Sequence, residues 1–496
     1  MDSLLVILAL YAVIGVAVLA FTVFSKTHQT MNALAVGLPV SYLVVSLYAL
    51  TDAALPSYGL GGGYFLVDHL SLYEILITAV LFLLAALYAC QYIEGSIEIH
   101  EMDRNNLKIF YVALNGLLMA LAYAFLADNL ALFWILAELS TAFSAVLVVL
   151  LNAPKNIGAA LKYVFITSTC MLFAFIGLIL IFTLTEDLLG AGTLNWSTLM
   201  SIASTLSPAI MFAAFIFTFV GFAAKSGIVP FHAWLPSAHS KAPAPISAIL
   251  SGSITSVGIY GIIRIYAIVT QTAEVAKVSW FLIGFGVFSM VVAALTMLSQ
   301  VNLKKLIGYS TVENMGFLLV GLGLVGLSTS VALFWMLFYV MAHAFVKSSL
   351  FFSAGIIHHQ YESVRMERIK NVFKLQPFAA WSLIVGGVAI IGMPLSAIFI
   401  PKVMILLQAA AVTPALLIGL LTVFLFVSAA FGIFLVKMLT HKDQDAPAVG
   451  ELKPFHAGWG MKIPIVILLA AVFALGVFFP QQLTDLLNTI VTELGF

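Results

Sequence analysis

The sequence predicts an all-α polytopic membrane protein in which residues 1–496 form a single membrane domain. Hydrophobic residues make up 63% of the chain and charged residues 8%, a composition outside the range of soluble globular proteins. Apolar runs of about 20 residues, long enough to cross a bilayer, recur along the whole chain. Together these two observations predict about fourteen transmembrane helices and no sizeable soluble domain.

Two of the predicted spans, the seventh and the twelfth, are longer than a single crossing needs. Each contains helix-breaking residues: Gly227 and Pro230 in the seventh, Gly392 and Pro394 in the twelfth. Each is therefore predicted to consist of two half-helices joined by unwound backbone. The predicted limits of all spans are 2–25, 32–52, 69–93, 107–127, 129–151, 158–185, 208–240, 244–270, 278–299, 303–326, 329–357, 377–412, 414–438 and 462–480.

The positive charges of the loops predict the orientation of the chain. Placing both termini outside leaves nearly all loop Lys and Arg residues, Lys442 and Lys453 among them, on the cytoplasmic side and only Lys277 outside. Five crossings separate the two broken spans, so these spans run in opposite directions. Residues 107–270 and 278–438 are thus predicted to form two five-helix repeats of inverted topology, an arrangement typical of ion-translocating folds.

Two charged residues of the first repeat are predicted to lie near the membrane midplane. Glu138 follows Asp128, at the start of the fifth span, by ten residues, or about 15 Å of helix, which is half of the hydrocarbon core. Lys225, beside the break in the seventh span, is its natural partner, because an opposite charge about 4–6 Å away keeps both groups ionised. Such a pair can act as a switch for proton release. The alternatives are a structural hydrogen bond for Glu138 and a static buried salt bridge.

Three basic residues of the second repeat extend this series. His343 and Lys347 are four residues apart and share one helix face, and a histidine that titrates near neutrality suits a proton relay. The alternative for His343 is a core residue with satisfied hydrogen bonds. Lys402, the last embedded base before the outer surface, is a candidate exit gate, and its alternative role is a lysine that snorkels to the interface.

Weaker candidates accompany these residues. Glu313 is a candidate for the relay or for the inner entrance, the latter beside Lys304 or Lys305. His232 and His239 flank the half-helix after the first break and are candidates for the inner entrance path or the relay. Asp68 and Glu74 are expected near the outer interface of the third span. Arg264 is expected to be a structural anchor to a loop or a lipid phosphate.

The sequence offers no pattern for redox or metal chemistry. Its two cysteines, Cys90 and Cys170, lie inside apolar spans and are expected to be free thiols. Phosphate-binding loops, dinucleotide fingerprints, nucleophile elbows and metal-ligand spacings are absent from the sequence. We therefore expect no catalytic residue, no metal site and no cofactor bound by this chain, and electrons in any redox complex would run through another subunit. The balance of 21 basic and 21 acidic residues gives no indication of nucleic-acid binding.

Several stretches carry a resemblance to a known family. They are YFLVDHLSLYE, DNLALFWILAELST, KSGIVPFHAWLPSAHSKAPAPISAILSG, NLKKLIGYSTVENMGF, MAHAFVKSSLFFSAG and GMPLSAIFIPK. Over nearly its whole length the chain resembles the antiporter-like proton-pumping subunits of respiratory complex I, which are shared with Mrp-type cation/proton antiporters and membrane-bound group 4 hydrogenases.

The resemblance implies roles for individual residues. Glu138 matches the family's glutamate of the fifth helix and Lys225 its lysine partner on the broken seventh, while His343 and Lys347 match the polar eleventh helix and Lys402 the broken twelfth. It also implies a hydrated, charged axis along the midplane of a prokaryotic cytoplasmic membrane. The expected partners are other integral membrane subunits of a large complex, a peripheral redox arm, lipid, and protons or sodium ions.

One position departs from the family pattern. Many members carry a lysine at the centre of the eighth helix, and alignment places Ser256 there, flanked by Ser253 and Thr255. A hydroxyl group binds water but holds no charge, so a water wire, a different coupling and a loss of translocation are all consistent with the substitution. The stretches GYSTVENMGF and HHQYESVRMERIK resemble the hydrogenase and formate-hydrogenlyase branch more than the Mrp-type antiporter branch.

Three functions follow from the sequence. The first is a proton- or sodium-translocating subunit of a redox-driven complex of the hydrogenase or formate-hydrogenlyase type. The second is a subunit of an Mrp-type cation/proton antiporter without redox coupling. The third is a structural subunit that translocates nothing, an alternative that the loss of charge at Ser256 supports.

Overall fold

The computed structural model describes residues 3–51, 55–59, 63–151, 154–440 and 455–496, and within this part the chain is almost entirely helical. The first six spans are Ser3–Phe24, His28–Ala49, His69–Glu98, Leu107–Phe125, Leu130–Val149 and Pro154–Leu189. Spans nine to eleven are Val275–Leu298, Leu303–Val325 and Val331–Tyr361, and the last two are Pro414–Thr440 and Trp459–Val477. The loop lysines Lys442 and Lys453 lie outside the described residues.

The predicted all-helical membrane fold is confirmed. In the described part of the chain, twelve helical segments are long and apolar enough to cross a membrane. The tenth span, Leu303–Val325, and the pair of shorter apolar helices Pro377–Ile391 and Phe399–Val412 account for the two remaining predicted spans. This chain is an integral membrane protein.

Both predicted helix breaks are present. The seventh span consists of Pro208–Ser226 and Leu235–Lys241, joined through the 3-10 turn Phe231–Trp234. Gly227 ends the first half-helix with φ +73°, and Gly392 ends Pro377–Ile391 in the twelfth span with φ +99°. Glycine adopts this left-handed conformation without a Cβ clash, so it stops each helix at that residue.

Elements outside the predicted spans cover the ends of the bundle. Ser57–Gly59 and Phe65–Val67 pair as a short antiparallel ribbon in which Ser57 faces Val67, and this ribbon was not expected in an all-α chain. A further helix, Gln481–Glu493, follows the last span and docks through Glu493, whose Oε1 lies 2.5 Å from His69 Nδ1. The remaining short elements are Trp196–Ile202, Val372–Leu375 and the 3-10 turns Arg104–Asn106, Ala203–Thr205 and Met366–Arg368.

The eighth span forms the core of the molecule. It comprises Ala244–Ile249, the π-helical segment Leu250–Ile254 and Thr255–Thr270, and every residue from Ala242 to Val269 is buried. It packs against the third, seventh and eleventh spans, whereas several outer spans expose apolar side chains such as Val13, Phe165 and Leu425. A helix that is buried all round acts as the axis around which the other spans are arranged.

A buried ion pair fixes the third span to the eighth. Asp68 caps the third span by accepting the Ser71 backbone N–H at 2.8 Å, and Arg264 places Nη1 2.7 Å from Asp68 Oδ2. The guanidinium also donates to the Tyr260 hydroxyl at 2.7 Å and lies 4.4 Å from the Trp196 ring centroid. Burial would raise the pKa of Asp68, but the charge and hydrogen bonds of Arg264 hold it below its usual value. Arg264 is therefore a structural anchor to a loop residue, as expected.

Candidate functional site

Lys225 and Glu138 are close neighbours but do not form the predicted contact ion pair. Lys225 is fully buried, and its Nζ donates to the Ala137 carbonyl at 2.5 Å and to Thr141 Oγ1 at 2.8 Å. The Glu138 side chain turns toward the sixth span, where its Oε2 accepts the Ser168 hydroxyl at 2.7 Å. The charge of Glu138 still acts on Lys225. The two groups thus interact electrostatically without direct contact. Each is hydrogen-bonded to neutral groups, which it can leave to form a direct ion pair with the other.

Lys402 lies at the second helix break. It is 5% exposed, so it does not snorkel to the membrane interface. Its Nζ donates to the carbonyls of Ile390 and Ile391 at 3.1 and 3.2 Å, the last residues of the first half-helix. Carbonyl groups at a helix C-terminus lack helical partners and carry partial negative charge, so they hold an ammonium group in place. The ammonium also lies 4.4 Å from the Phe424 ring centroid.

Lys347 is fully buried where the eleventh span meets the tenth. Its Nζ donates to the Ile307 carbonyl at 3.0 Å and to the Ser310 hydroxyl. His343, one turn earlier, is 1% exposed, and its Nε2 has no hydrogen-bond partner among the described residues. The charges of Lys347 and Lys402 both act on His343. One ring nitrogen of His343 thus has no protein partner within the described residues, and the relay role of His343 stays a prediction.

Glu313 lies near Lys347 and Lys402, which agrees with its candidacy for the relay and contradicts a position at the inner entrance beside Lys304 or Lys305. It is 1% exposed, its Oε2 accepts the Asn314 side-chain amide at 2.7 Å, and the charges of Lys347 and Lys402 act on it. Lys304 instead donates to the Ala242 carbonyl at 3.0 Å. The tenth span turns Glu313 inward, a rotation that sequence position alone does not define.

A signal in the sequence relates Glu313 to Glu138. Asn129 caps the fifth span and Asn302 caps the tenth, each through its side chain, and each is followed by a leucine. Glu138 and Glu313 lie nine and eleven residues after these caps. Since the fifth and tenth spans occupy the same place in the two predicted repeats, comparing NLALFWILAE with NLKKLIGYSTVE would have identified Glu313 as the counterpart of Glu138.

Buried hydroxyl groups connect the surroundings of Lys225 with those of Lys347. Ser226 donates to the Thr255 carbonyl at 3.1 Å, Thr255 to the Ser251 carbonyl at 2.7 Å, and the hydroxyls of Ser251 and Thr311 are 2.8 Å apart. Thr311 adjoins Ser310, the partner of Lys347. We call these five residues the hydroxyl line. It was not identified from the sequence, because serine and threonine are common in membrane helices.

Ser256 does not belong to the hydroxyl line and lies on a different face of the eighth span, just after the π segment Leu250–Ile254. It is 4% exposed and donates to the Gly252 carbonyl at 2.8 Å. The hydroxyl of Ser253 is buried and has no hydrogen-bond partner within the described ranges. Single turns of π-helix are frequent at functional sites. This one coincides with the region in which the sequence departs from the family pattern.

The two histidines after the first break differ in their surroundings. His239 is fully buried, stacks on Phe351 with ring centroids 4.6 Å apart, and is acted on by the charges of Lys347 and Lys304. Neither of its ring nitrogens has a hydrogen-bond partner in the described part of the chain. His232 is only half-buried, with its ring centroid 6.3 Å from that of Tyr309. His239 thus adjoins the Lys347 cluster, and His232 lies nearer the surface.

A cavity of about 190 Å³ lies at the end of the bundle predicted to face the cytoplasm, and Ser240 and Lys241 of its lining directly follow His239 in the chain. One wall carries Glu101, whose Oε1 lies 3.2 Å from His358 Nε2. Burial would raise the pKa of Glu101, but the hydrogen bond and charge of His358 hold it below its usual value. The lining residues are His100, Glu101, Leu151, Asn156, Ser240, Lys241 and His358. The lining of the cavity is therefore mostly polar and charged.

Potential metal ligands do not cluster in the part of the chain that the structure describes. No group of three or more His, Cys, Asp or Glu residues there is arranged to hold a metal ion. Cys90 and Cys170 are both free thiols.

The fold and the site together define a polytopic helical membrane protein with charged residues buried at two helix breaks. The family described as "NADH:quinone oxidoreductase/Mrp antiporter, TM" matches residues 127–428, and the chain belongs to this family. That range contains the buried charged residues near the two helix breaks, from Glu138 to Lys402. The resemblance inferred from the sequence is therefore confirmed.

Similar proteins come from more than one branch of this family. The chain is 27% identical to a "Hydrogenase-4 component F homolog" of Methylacidiphilum infernorum over 86% of this chain and 87% of that protein. It is 26% identical to a Na(+)/H(+) antiporter subunit of Alkalihalophilus pseudofirmus, over 91% of this chain and 90% of that protein. A chain of the Mrp complex from Dietzia sp. shares the fold with a TM-score of 0.84 at 18% identity, covering 100% of this chain and 98% of that one. These similarities establish an antiporter-like membrane subunit.

Proposed function

We propose that this chain is a proton-translocating subunit of a multi-subunit, redox-driven membrane complex of the hydrogenase or formate-hydrogenlyase type. The observation that carries the proposal is the series of buried titratable groups at both helix breaks, with the buried side chains of the hydroxyl line between Lys225 and Lys347. Burying a lysine in a membrane costs about 2.5–3.5 kcal/mol on insertion scales, so four such groups in one interior require a function. The four are Lys225, Lys304, Lys347 and Lys402.

Protons suit this interior better than sodium ions. Lys225, Lys347 and Lys402 are held by carbonyl and hydroxyl groups, and an ammonium group at each place repels a second cation. A lysine or histidine side chain instead binds and releases a proton directly, and hydroxyl groups exchange protons with water. A sodium ion would need several oxygen ligands, and in this interior lysine ammonium groups already occupy the carbonyl and hydroxyl oxygens.

The gap between Lys225 and Glu138 supplies the switch in the proposed mechanism. When Glu138 moves toward Lys225, the opposite charge favours the ammonium form, and when Glu138 returns to Ser168, the buried ammonium loses that support and releases its proton. A charge change in a neighbouring subunit at Glu138 would then pass through the eighth span to Lys347 and Lys402. Moving one charge against 100 mV requires about 2.3 kcal/mol, which is within the range of such electrostatic couplings.

The route through the protein has two ends in this proposal. The cavity lined by Ser240 and Lys241 is the inner entrance, because His239 directly precedes these residues in the chain and the charge of Lys347 acts on His239. Lys402 at the second break is the exit. We further propose a prokaryotic cytoplasmic membrane with both termini outside, which the charges of the loops support.

A second candidate is a subunit of an Mrp-type antiporter without redox coupling. The similarity to the Na(+)/H(+) antiporter protein over 91% of this chain favours it. Purifying the intact assembly distinguishes the two functions: a peripheral arm with redox centres supports the first, and a set of small membrane subunits alone supports the second. Both functions require membrane partners and transport through this chain.

Glu138→Gln tests whether this chain translocates protons. Glutamine retains the acceptor for Ser168 but carries no charge to act on Lys225, so we expect proton transport per assembled complex to fall roughly 10- to 100-fold. The measurement is the initial rate of pH change in proteoliposomes that contain the purified complex. Glu186→Gln, at an exposed position of the sixth span, is the matched control and is expected to leave the rate unchanged. An unchanged rate in Glu138→Gln would instead support the structural subunit.

A further inference from the structure

A buried carboxyl group on the third span takes no part in the relay described above. Glu74 is 1% exposed, and its Oε2 has no hydrogen-bond partner within the described residues. Thr78, one turn later, is equally buried, and its hydroxyl also lacks a partner there. The sequence places Glu74 near the outer interface, but the neighbouring spans enclose it. An unpaired carboxyl group in such an interior is costly and is a functional candidate by default.

Contacts at two levels place Glu74 opposite Ser256. The Ser71 hydroxyl lies 3.3 Å from the Tyr260 hydroxyl, and farther along the third span Leu81 packs directly against Gly252. Glu74 and Thr78 lie between Ser71 and Leu81 on the same helix face, since steps of three and four residues repeat a face. Ser256 lies midway between Gly252 and Tyr260 on the eighth span. The two stretches run antiparallel, so Glu74 and Thr78 flank the level of Ser256.

The third and eleventh spans run side by side at this level. Tyr73 donates to the Leu337 carbonyl at 2.9 Å, and Tyr88 donates to the Phe352 carbonyl at 2.7 Å. Because 15 residues separate the two contacts on each helix, the spans keep one register between them. Thr78 is therefore level with residue 342, next to His343. Thr78, Ser253 and His343 thus lie near one level on three spans, and Glu74 lies one helical turn away on the third span; all four have unpaired polar atoms in the described part of the chain.

We propose that Glu74 carries protons between the two halves of the protein and supplies, from the third span, the titratable group that the eighth span lacks at Ser256. This inference rests on the proposed function. The hydroxyl groups of the eighth span pass protons on but do not store one, whereas a carboxyl group does both.

The transfer conserves protons and charge at each step. The Lys225 ammonium releases a proton and becomes an amine, and water and hydroxyl groups beside Ser256 pass the proton on by exchanging O–H bonds. The Glu74 carboxylate binds it as a carboxylic acid. The acid then releases the proton through water to Nε2 of His343, which restores the carboxylate and forms an imidazolium next to Lys347. The unpaired Nε2 of His343 supplies the accepting lone pair.

Glu74→Gln is the first test. Glutamine has nearly the same shape but binds no proton, so we expect proton transport per assembled complex to fall roughly 10- to 100-fold. Glu98→Gln, an exposed position on the same helix, is the matched control and is expected to transport at the wild-type rate. Lys225→Met is measured in parallel. Transport that is normal in Glu74→Gln but lost in Lys225→Met overturns this inference and leaves the proposed function intact, whereas normal transport in both overturns the proposed function.

Two further variants separate proton carriage from packing. Glu74→Asp retains a carboxyl group and is expected to keep most of the transport rate, while the double variant Glu74→Gln/Ser256→Glu moves the carboxyl group to the facing helix and is expected to restore part of it. Transport rates are normalised to the amount of assembled complex, so a variant that assembles in lower yield is not mistaken for one that transports more slowly. If Glu74→Asp is as inactive as Glu74→Gln and the double variant restores nothing, Glu74 has a packing role and the inference is wrong.

Discussion

Replacing Lys225 with methionine is expected to reduce proton transport by the assembled complex at least about 100-fold. Methionine retains the length and apolar stem of lysine but removes the ammonium group on which the charge of Glu138 acts. The Ala137 carbonyl and the Thr141 hydroxyl lose a donor, yet each keeps a partner within its own helix, so assembly is expected to survive. Transport is measured as the initial rate of acidification in proteoliposomes, normalised to the amount of assembled complex.

Lys277→Met is the matched control for this experiment. Lys277 is an exposed lysine that pairs with Glu274 at 2.8 Å, and its side chain is 70% accessible. An exposed pair of this kind contributes little to stability, so we expect wild-type transport in this variant. If Lys225→Met also transports at the wild-type rate in assembled complexes, the switch at the first break does not exist, and the protein is a structural subunit.

Replacing Arg264 with methionine is expected to destabilise the protein by about 3–5 kcal/mol. The substitution leaves the Asp68 carboxylate buried at 2% exposure without its counter-charge. It also removes the hydrogen bond to Tyr260 and the contact with the Trp196 ring. The measurement is thermal unfolding of the purified complex in detergent, with dissociation of this chain from the complex as the readout.

The double variant Asp68→Asn/Arg264→Met identifies the physical cause of this loss. If the buried unpaired carboxylate is responsible, removing its charge recovers much of the stability, because replacing both partners of a buried pair costs less than removing one. An unfolding midpoint for Arg264→Met that equals the wild-type value would show that the ion pair does not hold the third span to the eighth. A double variant no more stable than Arg264→Met would assign the loss to the Tyr260 and Trp196 contacts instead.

Much of the fold could be predicted from the sequence. The spans follow from runs of apolar residues, and the two breaks follow from Gly227 and Gly392, whose left-handed backbone conformation is a local property of the residue. The burial of Lys225, Lys347 and Lys402 also followed, because each lies within an apolar stretch. The inverted relation of residues 107–270 and 278–438 stays a prediction, and the asparagine caps of the fifth and tenth spans support it.

The partners of the charged side chains could not be predicted in the same way. Glu138 lies in the region expected for a partner of Lys225, but its side chain turns to Ser168. Glu313 was a candidate for the relay or the inner entrance, and only the structure places it near Lys347 and Lys402 with Asn314 as its hydrogen-bond partner. Each outcome depends on how a helix is rotated about its own axis. When a helix is apolar on every side, its sequence does not define that rotation.

The sequence by itself determined the class of protein, the positions of its spans and the two places where helices break, because the transfer of apolar side chains into lipid and the backbone freedom of glycine are properties of single residues and short runs. Only the tertiary structure decided which polar groups share an interior. Glu74 and Ser256 are 182 residues apart in the chain. Contacts at Tyr260 and Gly252, which form when the third and eighth spans pack, bring them to similar depths in the bundle. Packing fixes the depth and rotation of each helix together, and these two quantities select the partners of every buried charge.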